Sequence, residues 1–385
     1  MPYWRLSAFY FFYFAQLGAL LPYLTLYLKD RGFNIDEIGM LTAILMATKI
    51  VAPNLWTFFS EKLGDQILVL RLGALLSGLV FSSIFFLEGF WQFAGLLFGF
   101  SFFRNGILPQ IEVLTLGHLG SDTSRYGRVR LWGSVGYMAS VMGLGVMFDS
   151  YSAATLPNFL AVIMLAIIVM SFLIPAIDHQ PQRAFTQRLR DVVYRREVIA
   201  FLLVCCLIQI SHGPYYTFYT LLLESEGFSK TIIGSLWALG VLAEVILFIF
   251  IHHLFRSVSE YQILSMSAGL TVFRWVLIAY FPGNLVILVF AQLLHAASYG
   301  SFHAASMRIV HSYFPGRLEA HGQALYASAS FGLGGALGAL YAGYCWEYYG
   351  ANFSYLTAAV MCVVTCIVSL RWVRPVKQLE IQPPR

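Results

Sequence analysis

Charge is what this sequence has least of. Of its 385 residues, 11% are charged, where a soluble domain carries about 25%. With 59% hydrophobic residues and apolar runs of about 20 residues each, that scarcity excludes a soluble globular chain. It points to an all-α, polytopic membrane protein. Cysteine is also scarce: Cys205, Cys206, Cys345, Cys362 and Cys366 all fall in apolar segments. Cys362 and Cys366 lie four apart on one helix face, but no histidine or carboxylate in that run completes a metal site, so packing is their expected role. No cleavable signal peptide is expected in the first apolar run. The first apolar run, Leu6–Leu28, is too long and lacks a small-residue cleavage site, so it reads as a first spanning helix. Nor is there a phosphate loop or a nucleophile–base set. The glycine-rich run FGLGGALGALYAG (331–343) has no Lys-Ser/Thr ending, and Gly334 and Gly338 instead give the spacing of a close helix contact. No enzyme, cofactor or metal is expected.

What is present is a regular series of apolar segments. Twelve are expected, at about 6–28, 38–59, 67–87, 90–116, 129–148, 153–177, 198–223, 231–255, 261–281, 284–307, 320–344 and 352–373. The longest polar connector, 178–197, separates six spans (residues 1–177) from six spans (198–385). Counting Lys and Arg in the short flanking loops places eighteen on one side, with both termini, and three on the other. By the positive-inside rule the crowded side is cytoplasmic. The same rule explains the basic middle connector, so no nucleic-acid role is assigned to it.

The two halves repeat. GALLPYLTLY from Gly18, then Gly32 and Gly39, returns as GPYYTFY from Gly213, then Gly227 and Gly234, at an offset of 195 residues. Two six-helix repeats with the same in–out sense are the parallel-repeat plan of secondary transporters. The same offset superposes Lys49 on Glu244.

The few charges within the spans are the candidate site, because an ionisable group at membrane depth persists where it faces a protein interior or a watery cavity. Arg104 and Glu112 share the fourth segment, and Arg130 opens the fifth, eighteen residues after Glu112. A guanidinium is the natural partner of such a carboxylate. The pair reads either as a brace near the interface or as a ligand-engaging site. Glu244, midway along LWALGVLAEVILFIFI, has no basic residue within a turn. It is a candidate proton carrier, with Arg130 or Lys49 as the alternative partner in a purely structural role. Arg274, His295 and His303 form a second polar group, with histidine suited to relaying protons. Tyr215 and Tyr219, with Tyr23, Tyr27 and Tyr216, occupy repeat-equivalent stretches where hydroxyls and ring faces suit an aromatic or sugar-like ligand.

At these residues the chain resembles the major facilitator superfamily along essentially its whole length. Within it, the chain resembles the proton-linked 3-phenylpropionic acid transporter group, neighbours of the oligosaccharide:proton symporters. The resemblance is carried by YGRVRLWGSVGY (126–137), SHGPYYTFY (211–219), GSLWALGVLAE (234–244), QLLHAASYGSFHAA (292–305) and GQALYASASFGLGGALG (322–338). The charged constellation looks like that of lactose permease. That likeness implies sugar-binding roles for Glu112 and Arg130, a stacking position for Tyr137, a span-eight acid in Glu244, and relay roles for Arg274 and His295. Two departures stand out. Ser298 occupies the place, three residues after His295, of the permease's proton-carrying Glu, so either Glu244 takes the proton or the coupling differs. Lys49 and Arg104 have no counterpart, and two added cations favour an anionic substrate. The resemblance therefore implies a proton-coupled importer of a small aromatic carboxylic acid, with a sugar or nucleoside symporter as the alternative. The expected setting is a bacterial inner membrane, as a monomer partnered only by substrate, protons and lipid.

Overall fold

The structure is a computed structural model that describes residues 2–120, 122, 125–177 and 189–375. Most of the basic middle connector, 178–188, lies outside the described residues. Every described element is helical, as apolar segments require when no water is at hand to satisfy backbone N–H and C=O groups. In chain order the helices are α1 (Tyr3–Asp30), α2 (Ile35–Leu63), α3 (Gln66–Phe86), α4 (Phe90–Arg104), α5 (Ile107–Leu119), α6 (Tyr126–Phe148) and α7 (Ala153–Leu173). After the connector come α8 (Arg196–Ser225), α9 (Lys230–Ser257), α10 (Glu260–Tyr280), α11 (Leu285–Tyr313), α12 (319–349) and α13 (Ala351–Trp372).

Ten of these are long and apolar enough to cross a membrane. The expected fourth and eleventh spans are helical but are not among the ten. The fourth is split by Asn105 and Gly106 into α4 and α5, each too short alone. The eleventh, α12, is diluted by the serines, glycines and tyrosines of 326–343.

Ends and breaks follow the side chains. Asn34 accepts from the Glu37 amide while Glu37 reaches back, a capping box that starts α2. Asp65, Ser229 and Ser259 cap α3, α9 and α10 in the same sense. Inside the spans the helix loosens at charged or polar positions. Lys49 sits in a 3-10 turn, Thr48–Ile50, of α2, and α8 breaks at His212, just ahead of Pro214. A π-helical turn, Ala296–Gly300, interrupts α11 immediately after His295. Such turns recur at functional positions.

The repeat read from the sequence is visible in the packing. A Cβ at Gly18 would lie 2.5 Å from the Tyr137 carbonyl oxygen, and one at Gly213 would lie 2.2 Å from that of Gly338. Both glycines let the first helix of a repeat cross its fifth at backbone distance. Gly32 and Gly227 hold matching turns, with φ of 89° and 85°, which only glycine adopts readily.

Helices before and after the connector meet along α2–α12, α6–α9 and α1–α8. The hydrogen bonds and ion pairs that cross between them gather at one face of the bundle, that of the α1–α2 and α8–α9 turns, here called the distal face. Toward the opposite, proximal face, the deepest crossing hydrogen bonds among the described residues join Ser328 on α12 to the Ile50 carbonyl and to Asn54 on α2.

Candidate functional site

The buried polar residues form two groups that differ in how their charges are held. The C-terminal group is a connected chain. Arg274 on α10 is fully buried. Its Nε donates to the Ala291 carbonyl at 2.9 Å, one terminal nitrogen lies 2.9 Å from His295 Nδ1, and the other donates to Gln292 Oε1 at 3.4 Å. The guanidinium also lies 4.3 Å from the ring centre of Tyr215 and 4.7 Å from that of Trp275. An arginine has only donors, so His295 Nδ1 must accept, and the neutral ring carries its proton on Nε2. That nitrogen is 3.3 Å from Glu244 Oε1 on α9. The approach is off the line of a hydrogen bond, and Glu244 Oε1 has no hydrogen-bond partner among the described residues. The result is a bridge from guanidinium through imidazole to carboxylate, with its last link close but unformed.

Aromatic rings enclose this chain. Tyr215 donates to Gln292 Oε1 at 2.9 Å and packs against Tyr219 and Trp237 at 4.9 and 4.7 Å. Tyr299 lies parallel to His295 (5.4 Å, 2°) and to His303 (6.4 Å, 8°), one helical turn away on either side. His303 bonds the Tyr326 hydroxyl through Nδ1 at 2.9 Å. Three further buried polar atoms here, Tyr219 Oη, Gln292 Nε2 and His212 Nε2, have no hydrogen-bond partner of good geometry among the described residues. Buried polar atoms are normally paired, so these are the open hydrogen-bonding positions of the group.

The N-terminal group rests its cations on neutral partners. Among the described residues, no carboxylate lies within 4 Å of Lys49, Arg104 or Arg130. Arg104 is buried, donates to Gln16 Oε1 at 2.7 Å and lies 4.8 Å from the ring centre of Tyr13. The Arg130 guanidinium sits 3.9 Å from the ring centre of Phe14 and 5.6 Å from that of Tyr10. Lys49 Nζ is 3.1 Å from Met46 Sδ.

The sequence-derived pairings need correction at two points. Glu112 and Arg130 are not within ion-pair distance: Arg130 takes the aromatic faces of α1, and Glu112 receives the Tyr126 hydroxyl at 3.4 Å. Glu244 pairs with neither Arg130 nor Lys49 but approaches His295. Tyr215, Tyr216 and Tyr219 join the C-terminal group, whereas Tyr23 is spent on packing, donating to the Val141 carbonyl at 2.7 Å, and Tyr27 packs on Phe93. Cys362 bonds Ser211 through Sγ at 3.0 Å within the core. Tyr137 is buried on α6, with its carbonyl facing Gly18 of α1.

Gln292, Tyr299, Trp275 and Gln16 were not singled out by sequence reasoning. Gln292 and Tyr299 stand three residues before and four after His295, the spacing that shares its helix face.

A bundle of membrane-length helices with pseudo-repeated halves and a polar interior is that of a multi-pass membrane protein. The chain belongs to the MFS_1 like family, whose sequence model matches residues 3–357, and is a secondary transporter of the major facilitator type. It is 29% identical over 365 residues to a probable 3-phenylpropionic acid transporter of Escherichia coli (strain K12), covering 91% of this chain and 93% of that protein. It is 24% identical to a maltose permease of Geobacillus stearothermophilus, covering 94% and 92%. Among solved structures, a mutant of the nucleoside transporter NupG superposes with a TM-score of 0.87 at 15% identity, covering 97% of this chain and 100% of that one. That likeness shows the fold alone.

Proposed function

We propose that this transporter takes up a small aromatic carboxylic acid of the 3-phenylpropionate type together with protons, by alternating access between residues 1–177 and 198–385 about the connector at 178–197. The carrying observation is the segregation of charge: among the described residues Lys49, Arg104 and Arg130 have no carboxylate within 4 Å, while Glu244 stands at the end of the His295–Arg274 bridge. A substrate carboxylate supplies the missing anion on the N-terminal side. Lys49 and Arg130, both half-buried, are its first holders. Arg104 adds field from behind, and Tyr137, Tyr215 and Tyr219 clasp the ring. The coupling proton binds Glu244, whose charged form His295 bridges toward Arg274, with His303 extending the path through Tyr299 and Tyr326. The 29% identical relative named for 3-phenylpropionic acid supports the substrate class. The Lys and Arg asymmetry supports a cytoplasmic proximal face and termini, in a bacterial inner membrane. We take the working unit as a monomer.

A second reading is a proton-coupled sugar or nucleoside symporter in which Glu112, Arg130 and Tyr137 bind hydroxyls. It is favoured by the half-buried Glu112, which a neutral ligand would face without repulsion, and by the maltose permease relative. Proton movement in proteoliposomes separates the two. Alkalinisation on adding 3-phenylpropionate, beyond its passive permeation as the neutral acid, is the expected result. A response only to a sugar or nucleoside would replace the first reading with the second.

A further inference from the structure

The distal face is closed by two contacts that are copies of one another. Asp149, just past the end of α6, accepts from the Lys230 amide through Oδ1 at 2.6 Å. Its Oδ2 accepts from the Thr231 amide and hydroxyl at 3.2 and 2.5 Å. These are the first two residues of α9. Glu347, near the end of α12, accepts through Oε2 from the amide of Ile35 at 3.2 Å, the first residue of α2. Ile35 and Lys230 are separated by 195 residues, the repeat offset found in the sequence, and Asp149 and Glu347 by 198. One turn before each carboxylate stands a glycine, Gly145 and Gly343, also 198 apart. A Cβ at Gly145 would lie 2.6 Å from the Lys230 carbonyl oxygen, and one at Gly343 would lie 3.0 Å from Gly39 Cα and 3.3 Å from the Ile35 carbonyl oxygen. The paired sequences GVMFD (145–149) and GYCWE (343–347) thus present a glycine for backbone approach and an acid for the opposing helix N-terminus. There the unpaired amides and the dipole both favour an anion.

We propose that Asp149 and Glu347 are twin latches that hold the distal face shut, each swung from one repeat onto the helix start of the other. The inference rests on the alternating-access reading above: both contacts join helices on opposite sides of the connector, so both must break when the distal face opens. Nothing comparable crosses at the proximal ends among the described residues, where the last bonds are those of Ser328 with Ile50 and Asn54. The Lys29–Glu224 ion pair at 3.7 Å, with Lys230 at 2.6 Å from the same carboxylate, adds a third crossing charge at the distal face, between two residues that are themselves 195 apart in the sequence. Partial desolvation acts to raise the Asp149 carboxyl. The Thr231 hydroxyl, the Lys230 and Thr231 amides and the Lys230 charge outweigh it and hold that group below the usual carboxylate range. The latch therefore remains an anion at neutral pH, and opening has to be driven by events elsewhere in the protein.

The test is a distance measurement between spin labels on the full-length protein with its five cysteines replaced. Labels at Tyr151→Cys and Ser225→Cys, both exposed at the distal face, straddle the two sides. Asp149→Ala and Glu347→Ala should each raise the distal-open population about threefold, as loss of a charge at a helix start allows. Together they should raise it about tenfold, because separated sites add. Asp149→Asn, which keeps an acceptor, should fall between wild type and Asp149→Ala. If 3-phenylpropionate opens the wild-type distal face but the double variant, monodisperse and folded, opens no further, the latches are overturned while alternating access stands. If neither wild type nor double variant ever shows the longer distance, both ideas fall. An effect from one variant only would overturn the twin arrangement.

Discussion

The two polar groups bury the same kind of side chain by opposite means. In the C-terminal group, Arg274 spends every nitrogen on a named acceptor and reaches an acid through His295. In the N-terminal group, Arg104 and Arg130 rest on amide oxygen and ring faces, and Lys49 on a thioether. A ring face stabilises a cation while leaving its charge available to a ligand, worth about 0.5–2 kcal/mol. A hydrogen-bonded chain fixes the cation in place and ties its charge to a protonatable group. The contrast teaches a division of labour in which one side holds the substrate's charge and the other trades a proton.

The sharpest way to break that division is Glu244→Gln. It removes the carboxylate while keeping shape, so accumulation against a gradient should be lost and substrate exchange retained. Unimpaired uphill transport by this variant would falsify the proton assignment. Next in size is a contrast in stability. Arg274→Gln strips a buried chain of its anchor and leaves His295 Nδ1 and the Ala291 carbonyl without donors. Leaving a buried acceptor without its donor costs about 1–3 kcal/mol for each. Arg130→Gln loses chiefly ring contacts, about 0.5–2 kcal/mol. Thermal unfolding in detergent should rank the two variants in that order, and the reverse ranking would mean that the N-terminal cation is structural.

A third effect reads affinity. Lys49→Ala and Arg130→Gln should each raise KM for 3-phenylpropionate uptake about tenfold, ~1.4 kcal/mol, with smaller changes in maximal rate. Indifference of uptake to both would remove the anionic substrate.

How much of this was legible in the chain depends on rarity. In-membrane charges are few, so Lys49, Arg104, Glu112, Arg130, Glu244 and Arg274 stood out at once. The glycine repeats placed equivalent crossings correctly because Gly18 and Gly213 meet backbone. Partners were harder. Glu244 and His295 lie 51 residues apart on different helices, and no local pattern joins them. Arg130 was assigned to Glu112 because the two flank one turn. Its actual neighbour, Phe14, is one of 33 phenylalanines and carried no signal. Gln292 and Tyr299 were within reach of helical spacing from His295, but a glutamine and a tyrosine are ordinary residues until a histidine is known to be bridged. The break at Asn105–Gly106 was hidden inside a run that reads as one apolar segment.

The smallest expected effect is also the one that best separates the two substrate readings. Glu112 is half-buried, takes the long Tyr126 contact at 3.4 Å as its one hydrogen bond among the described residues, and shares its side of the molecule with three cations. If those cations hold a carboxylate, the Glu112 charge opposes the substrate, with an interaction that is modest where water screens it. Glu112→Gln keeps an acceptor for Tyr126 and removes the repulsion, so KM for 3-phenylpropionate should fall, by about twofold to threefold on the scale of surface-type charge pairs. If instead the ligand is a sugar or nucleoside, Glu112 is a direct hydroxyl acceptor whose charged hydrogen bond is worth about 1.5–3 kcal/mol, and the same variant should lose uptake of that ligand by tenfold or more. One substitution thus moves affinity in opposite directions under the two readings, and uptake titrations with both ligands decide between them by sign.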